Sequence, residues 1–189
     1  MNILITGVGG QGSLLASRIL GSVFTQQGLE VKVSEVHGMS QRGGGVVTTV
    51  RAGKSVYSPL ITDGEADLLI ALEQMEALRW LHTLSPSGKA AVNTYIIPPL
   101  PVLTGASEYP QDIESAFDPS RSIFFNAVKL AEEAGSIKSV NVVMLGAVSV
   151  WLNIGPELWR AALTDCVKPK LLAVNETAFE LGRQMALRS

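Results

Sequence analysis

One cysteine and two histidines are the only thiol and imidazole side chains in this 189-residue chain. Cys166 has no second thiol to bridge to, and a four-thiolate iron–sulfur cluster cannot be assembled from it. His37 and His82 are too far apart in sequence to form a zinc-ligand spacing. Any redox metal must therefore be held elsewhere. Charged residues are sparse at 17% and the net charge is only −2, so no basic stripe exists to neutralise a phosphate backbone. A membrane-length apolar run is missing too. The longest one, VNVVMLGAVSVWLNIG, falls short of the ~20 residues that span a bilayer and carries Asn141, Ser149 and Asn153. The opening MNILITGVGG has no basic segment ahead of its apolar stretch and does not read as a signal peptide. The expectation is a soluble, cytoplasmic protein with neither nucleic acid nor membrane as a partner.

Hydrophobic residues make up 47% of the chain, and aromatics only 6%, which suits an α/β interior of Val, Leu, Ile and Ala. NILITG (2–7) is a short apolar run stopped by glycine, as in a buried parallel strand. From Ser13 to Gln27 the residues Leu15, Ile19 and Val23, with Ala16, Leu20 and Phe24, form a helical stripe that Gly28 closes. Strands follow at 30–36 and 45–53 and a buried strand at 67–72. A helix over 73–84 has Met75, Leu78 and Leu81 inward, and another strand spans 89–94. Three prolines in YIIPPLPVLTG (95–105) rule out a central strand there. A short helix near 111–117, a strand at 121–125 and helices at 126–135, 140–153 and 156–187, the last broken near Pro169, complete the pattern. This alternation predicts one domain over 1–189: a Rossmann-like, doubly wound, mostly parallel sheet with helices on both faces and a helical C-terminal part.

Two stretches carry chemistry. In GVGGQG, Gly7, Gly9 and Gly12 satisfy G-x-G-x-x-G between the first strand and helix, where glycines admit close approach and the helix start favours an anion. Gly10 and Gln11 complete this candidate phosphate loop. Glu35, ending the second strand, stands where an acidic residue would hold the ribose of NAD. By themselves these features fit a free-standing NAD-binding oxidoreductase, and equally a turn packed closely for structural reasons. The second stretch, SEVHGMSQRGGGVVTTVRAG (34–53), is richer in polar side chains than a strand connection requires.

GVGGQGSLLASRIL, then VKVSEVHGMSQRGGGVVTTVR, SPLI, ADLLIALEQMEALR, VNT and KLAEEAGSIKSVNVVMLGAVS, together resemble the gamma-type subunit of 2-oxoacid:ferredoxin oxidoreductases. The EVHGMSQRGG version looks most like the small (beta) subunit of the indolepyruvate type. The chain departs from the family pattern over Gly45 to Thr49 and along the proline-rich crossing. The resemblance implies a complex that decarboxylates a 2-oxoacid on thiamine diphosphate, passes electrons through 4Fe–4S clusters to ferredoxin and hands the acyl group to coenzyme A. Thiamine diphosphate, its Mg and the clusters are then expected on a large (alpha) partner subunit, with no cofactor in this chain, and the isolated chain is expected to be inactive. An anion at GVGGQG would be a phosphate of coenzyme A shared across the subunit boundary. The residues Glu35, His37, Gly38, Met39, Ser40, Gln41, Arg42 and Gly43 would form a loop facing the partner and its active-site cleft.

Each residue also has a plainer role available. His37 and Arg42 can tie a long loop to itself, while Ser40 and Gln41 suit loop-shaping hydrogen bonds. Glu73 and Glu76 open a helix, where carboxylates complement the dipole. Cys166 reads as a small apolar packer, and Trp151 and Trp159 as core or interface anchors. A purely structural assembly module is the remaining alternative, since the chain has no catalytic ligand set.

Overall fold

The computed structural model describes residues 1–38 and 44–188. Among these, six strands form one sheet: β1 (Asn2–Val8), β2 (Glu30–His37), β3 (Gly45–Gly53), β4 (Ala66–Ala71), β5 (Leu84–Asn93) and β6 (Ser122–Phe125), in the order β2-β3-β1-β4-β5-β6. β1, β4, β5 and β6 run parallel to one another. β3 runs against both β1 and β2. It enters as the return strand of a hairpin and pushes β2 out to the edge. The sheet is thus mostly parallel, with one reversed strand inside it.

Strand alternation sends residues to two cores. Ile3, Ile5, Leu68, Ile70 and Val50 face a large helical layer. Leu4, Leu69, Ala71, Ala90 and Val92 face a thinner one. The large layer holds α1 (Ser13–Gln26), α4 (Ala127–Glu133), α5 (Val140–Ser149), α6 (Pro156–Cys166) and α7 (Leu172–Ala186). Its centre is α5, all ten residues of which are buried, as its apolar sequence VNVVMLGAVS permits. α5 and α7 cross so closely that a Cβ on Gly146 would collide with the Phe179 carbonyl, and one on Gly182 with the Val143 carbonyl. Trp159 is buried in this layer against Phe179, and Trp151 is half-buried with the Lys89 ammonium 5.4 Å over its ring. The thin layer is α2 (Gln74–Trp80) with a 3₁₀ turn at Ile113–Ala116.

Three local expectations shift. The helix expected over 73–84 stops at Trp80, where Thr83 turns its hydroxyl onto the Trp80 carbonyl, and a 3₁₀ turn leads straight into β5 at Leu84. β5 therefore starts earlier than 89, with Pro86 in a stretch where its register on β4 shifts, the kind of place that tolerates a missing N–H. On α2 the deepest residues are Glu76 and Ala77, while Met75 and Leu78 are only half-buried. The proline-rich crossing is irregular but for one short helix, α3 (Leu100–Leu103). No helix of the described residues is long and apolar enough to cross a membrane.

Candidate functional site

The carboxyl ends of β1, β2, β4, β5 and β6 lie along one edge of the sheet, and β3 starts there. The glycine turn and the residues flanking the loop 38–44 consequently share a rim. They touch: Gly9 donates its N–H to the Gly44 carbonyl at 3.1 Å, and Gly38 donates to Gly45 at 3.1 Å.

Within the turn, Gly12 caps α1 in the left-handed region, φ 84°, which an L side chain rarely adopts. Asn141 at the start of α5 packs on it and donates from Nδ2 to the Gly12 carbonyl at 2.9 Å. Gln11 does not point outward. Its Oε1 accepts the Val8 N–H at 2.7 Å, and its Nε2 donates to the Leu72 carbonyl at 2.9 Å, beside Asn93, which donates to the same carbonyl. A Cβ on Gly7 would stand 2.6 Å from that Gln11 oxygen, so glycine there makes room for the folded-back amide. The side chain of Gln11 thereby fastens β1 to β4. Gly10 is exposed at the tip, with open space about its Cα.

Glu35 stands beside the start of α1. Its Oε2 accepts hydrogen bonds from the Ser13 hydroxyl at 2.9 Å and the Thr48 hydroxyl at 2.8 Å, and its Oε1 lies 2.8 Å from His37 Nε2. Both carboxylate oxygens are in use. A carboxylate here also occupies the electropositive end of the helix, where a phosphate would otherwise settle. The geometry ties the edge strand β2 to α1 and leaves little for a ribose. Met39, Ser40, Gln41, Arg42 and Gly43 lie outside the described residues.

Sequence reasoning missed a second feature, on the face of the hairpin opposite α1. There α2 packs chiefly on β1, β4 and β5 and reaches β3 at Gly45, beside Glu76. A half-open trough of about 600 Å³ results, floored by Val36 and Val47 and walled by Leu60, Trp80, Arg79 and Glu76. Glu73, the residue before α2, behaves as a helix-start carboxylate: its Oε2 accepts the Glu76 N–H at 2.9 Å and its Oε1 accepts the Tyr109 hydroxyl at 2.6 Å. Burial, and then that bond, push the Tyr109 phenol up. Glu76 differs. Only 4% exposed, it takes a hydrogen bond from Arg79 Nε on Oε1 at 3.1 Å, and among the described residues its Oε2 meets no donor in hydrogen-bond geometry. Burial pushes its carboxyl above the usual range against the pull of Arg79 and a weaker one from the Trp80 side chain. An available signal was the placement of Glu76 beside Ala77 and four residues before Trp80, on the stripe of α2 that turns inward.

No group of three or more His, Cys, Asp or Glu that could hold a metal ion occurs among the described residues. The model of the family described as pyruvate ferredoxin/flavodoxin oxidoreductase matches residues 2–185. The indolepyruvate oxidoreductase subunit IorB of Thermococcus kodakarensis is 41% identical, over 98% of this chain and 95% of that one. Its counterpart from Pyrococcus horikoshii is 39% identical over the same shares. Among solved structures, the gamma subunit of a keto/oxoacid ferredoxin oxidoreductase from Geobacter sulfurreducens superposes with a TM-score of 0.73 at 24% identity, covering 100% of this chain and 99% of that chain. A 2-oxoglutarate:ferredoxin oxidoreductase from Magnetococcus marinus also gives 0.73 at 21% identity, with all of this chain matching 31% of that longer one. These two likenesses establish the fold.

Proposed function

This chain belongs to the pyruvate ferredoxin/flavodoxin oxidoreductase family, and from that premise we propose that it is the small subunit of an indolepyruvate:ferredoxin oxidoreductase. The observation that carries the reading is its end-to-end likeness, at about two residues in five, to subunits of that name. In this reading the complex decarboxylates indolepyruvate or a related aryl-pyruvate. The acyl carbon leaves as an aryl-acetyl thioester of coenzyme A, carbon dioxide departs, and the two electrons go to ferredoxin. Thiamine diphosphate, its Mg and the 4Fe–4S clusters belong to the large subunit, in keeping with a chain whose one cysteine cannot hold a cluster.

This chain's own contribution is then a shaped rim. The loop from Glu35 to Gly45 is the part proposed to lie against the large subunit near its cofactor cleft, with Arg42 offering a planar fork to a carboxylate or phosphate. Glu35 and His37 brace one side of it, as their mutual contact and the hydrogen bonds of Glu35 to α1 and β3 support. The residues of the glycine turn fit a phosphate of coenzyme A only from the open side at Gly10, since Glu35 stands at the other. The test is reconstitution. The purified chain alone should be colourless and inactive, and aryl-pyruvate oxidation should appear only when the large, cysteine-rich, thiamine-binding subunit is added. Turnover by the isolated chain with a 2-oxoacid, coenzyme A and an electron acceptor would overturn the reading.

A further inference from the structure

The trough between the hairpin and α2 is where this fold is least complete. Among the described residues Glu76 Oε2 is buried without a hydrogen-bond donor, although its sister oxygen holds Arg79. Leaving a buried acceptor unpaired costs free energy that a donor from outside would return. Away from Glu76 and Arg79 the lining is largely apolar, yet Val36 and Leu60 are 58% and 61% exposed, so the surface around the carboxylate is also unfinished. The trough reaches Gly38 and Gly45, the residues between which the loop proposed to face the large subunit begins and ends.

We propose that this trough seats a basic side chain of the large subunit, its aliphatic stem lying over Val36, Val47 and Leu60 and its N–H head donating to Glu76 Oε2. Charge decides the head. A carboxylate bound to one guanidinium on one oxygen and bare on the other still accepts a charge-assisted hydrogen bond from a second cation, and the excess positive charge is screened because the Arg79 side chain is itself 57% exposed. Apolar walls decide the stem, because lysine and arginine carry methylenes that cover such surface while the head reaches a partner. Position decides the source: the trough adjoins the loop base and is half open, so a protein surface closes it where a small free ligand would stay half in solvent. The inference rests on the small-subunit reading and adds to it a second, independent anchor beside the loop.

Two variants in the reconstituted complex test it. Glu76→Leu removes the unpaired carboxylate, so the isolated chain should melt no lower than the parent while its affinity for the large subunit falls at least tenfold and becomes less sensitive to salt. Leu60→Cys, made with Cys166→Ser, should react readily with a maleimide in the isolated chain and at least tenfold more slowly in the complex. If Glu76→Leu fails to fold, the protection of Leu60→Cys decides alone. Equal labelling in the two states, or parental assembly by Glu76→Leu, overturns the proposal. So does a trough that stays open in the complex and binds indole instead, which would make it a ligand site. Failure of the parent chain to bind the large subunit is a distinct result, because it overturns the small-subunit reading together with this anchor.

Discussion

The glycine turn and the trough lie on opposite sides of the same hairpin, a few residues apart, and they treat polar groups in opposite ways. In the turn Gln11 spends both ends of its amide and Glu35 both oxygens of its carboxylate on groups within the chain. In the trough Glu76 keeps one oxygen that is buried and, among the described residues, without a donor, beside exposed apolar side chains. A site that satisfies itself is scaffold, and its sequence signature, however suggestive of a ligand, reports the packing it needs. A site that leaves a buried group unpaired has given up stability, and function is the ordinary reason for doing so.

The comparison is broken most forcefully at Gln11. Gln11→Ala orphans the Val8 N–H and unfastens β1 from β4, so it should lower the unfolding free energy of the isolated chain by about 2–3 kcal/mol, the scale of a buried donor left unmade plus a lost bond. Urea unfolding measures this, and a loss under ~0.5 kcal/mol would mean the turn is not the scaffold described. At Arg42 the expectation reverses: Arg42→Ala should leave the melting curve of the isolated chain unchanged but weaken assembly or turnover of the complex by at least ~1.5 kcal/mol, the worth of a charge-assisted hydrogen bond. An early-melting variant, or one that assembles and turns over normally, would place the loop's role inside the chain.

Glu76 gives a smaller effect with a diagnostic sign. Its folded carboxyl titrates above the ordinary value of 4.5, so between the two values the folded chain binds more protons than the unfolded one. Its contribution to stability is full below the ordinary value and is lost as pH rises through the folded one. Glu76→Gln should flatten that decline and raise stability at pH 8 by about 1 kcal/mol, seen as a pH series of melting temperatures. A variant with the parent's pH dependence would show the carboxylate to be solvated after all. The smallest expected effect is none: calorimetric titration of NAD into the isolated chain should yield no micromolar binding, because Glu35 is already engaged with Ser13, Thr48 and His37. Micromolar affinity would reopen the nicotinamide reading.

Much of the framework was legible because it is local. The stripe through Ala16, Ile19, Leu20, Val23 and Phe24 is a periodicity, and it is buried as such. The breaks at Gly28 and Pro169, and the irregular course after Tyr95, follow from what those residues can adopt. What escaped the sequence depends on distant partners. A β-branched run does not state its direction, so the reversal of β3 came only from its register on β1 and β2. Gln11 stood out in the motif, but its inward fold needs the Leu72 carbonyl, 61 residues away. Glu76 read as one of two carboxylates soothing a helix start. Both do open α2, Glu73 as its cap and Glu76 in its first turn, but the burial of Glu76 is set by the hairpin brought against α2, with Gly45 so close that a Cβ there would stand 2.9 Å from Oε2.

The crossing of α5 and α7 can be understood as a register lock. Slide α7 along α5 by one turn and Ala178 or Ala186 arrives where Gly182 stood, and even a methyl group has no room beside the Val143 carbonyl. A one-turn slip of α5 brings Val142 or Val150 against the Phe179 carbonyl with the same result. The two helices thus have one seating and no neighbouring one to settle into. Since Asn141 rides on α5, the height at which its amide meets Gly12 is dictated from the far side of the helical layer, by two residues that have no side chains at all.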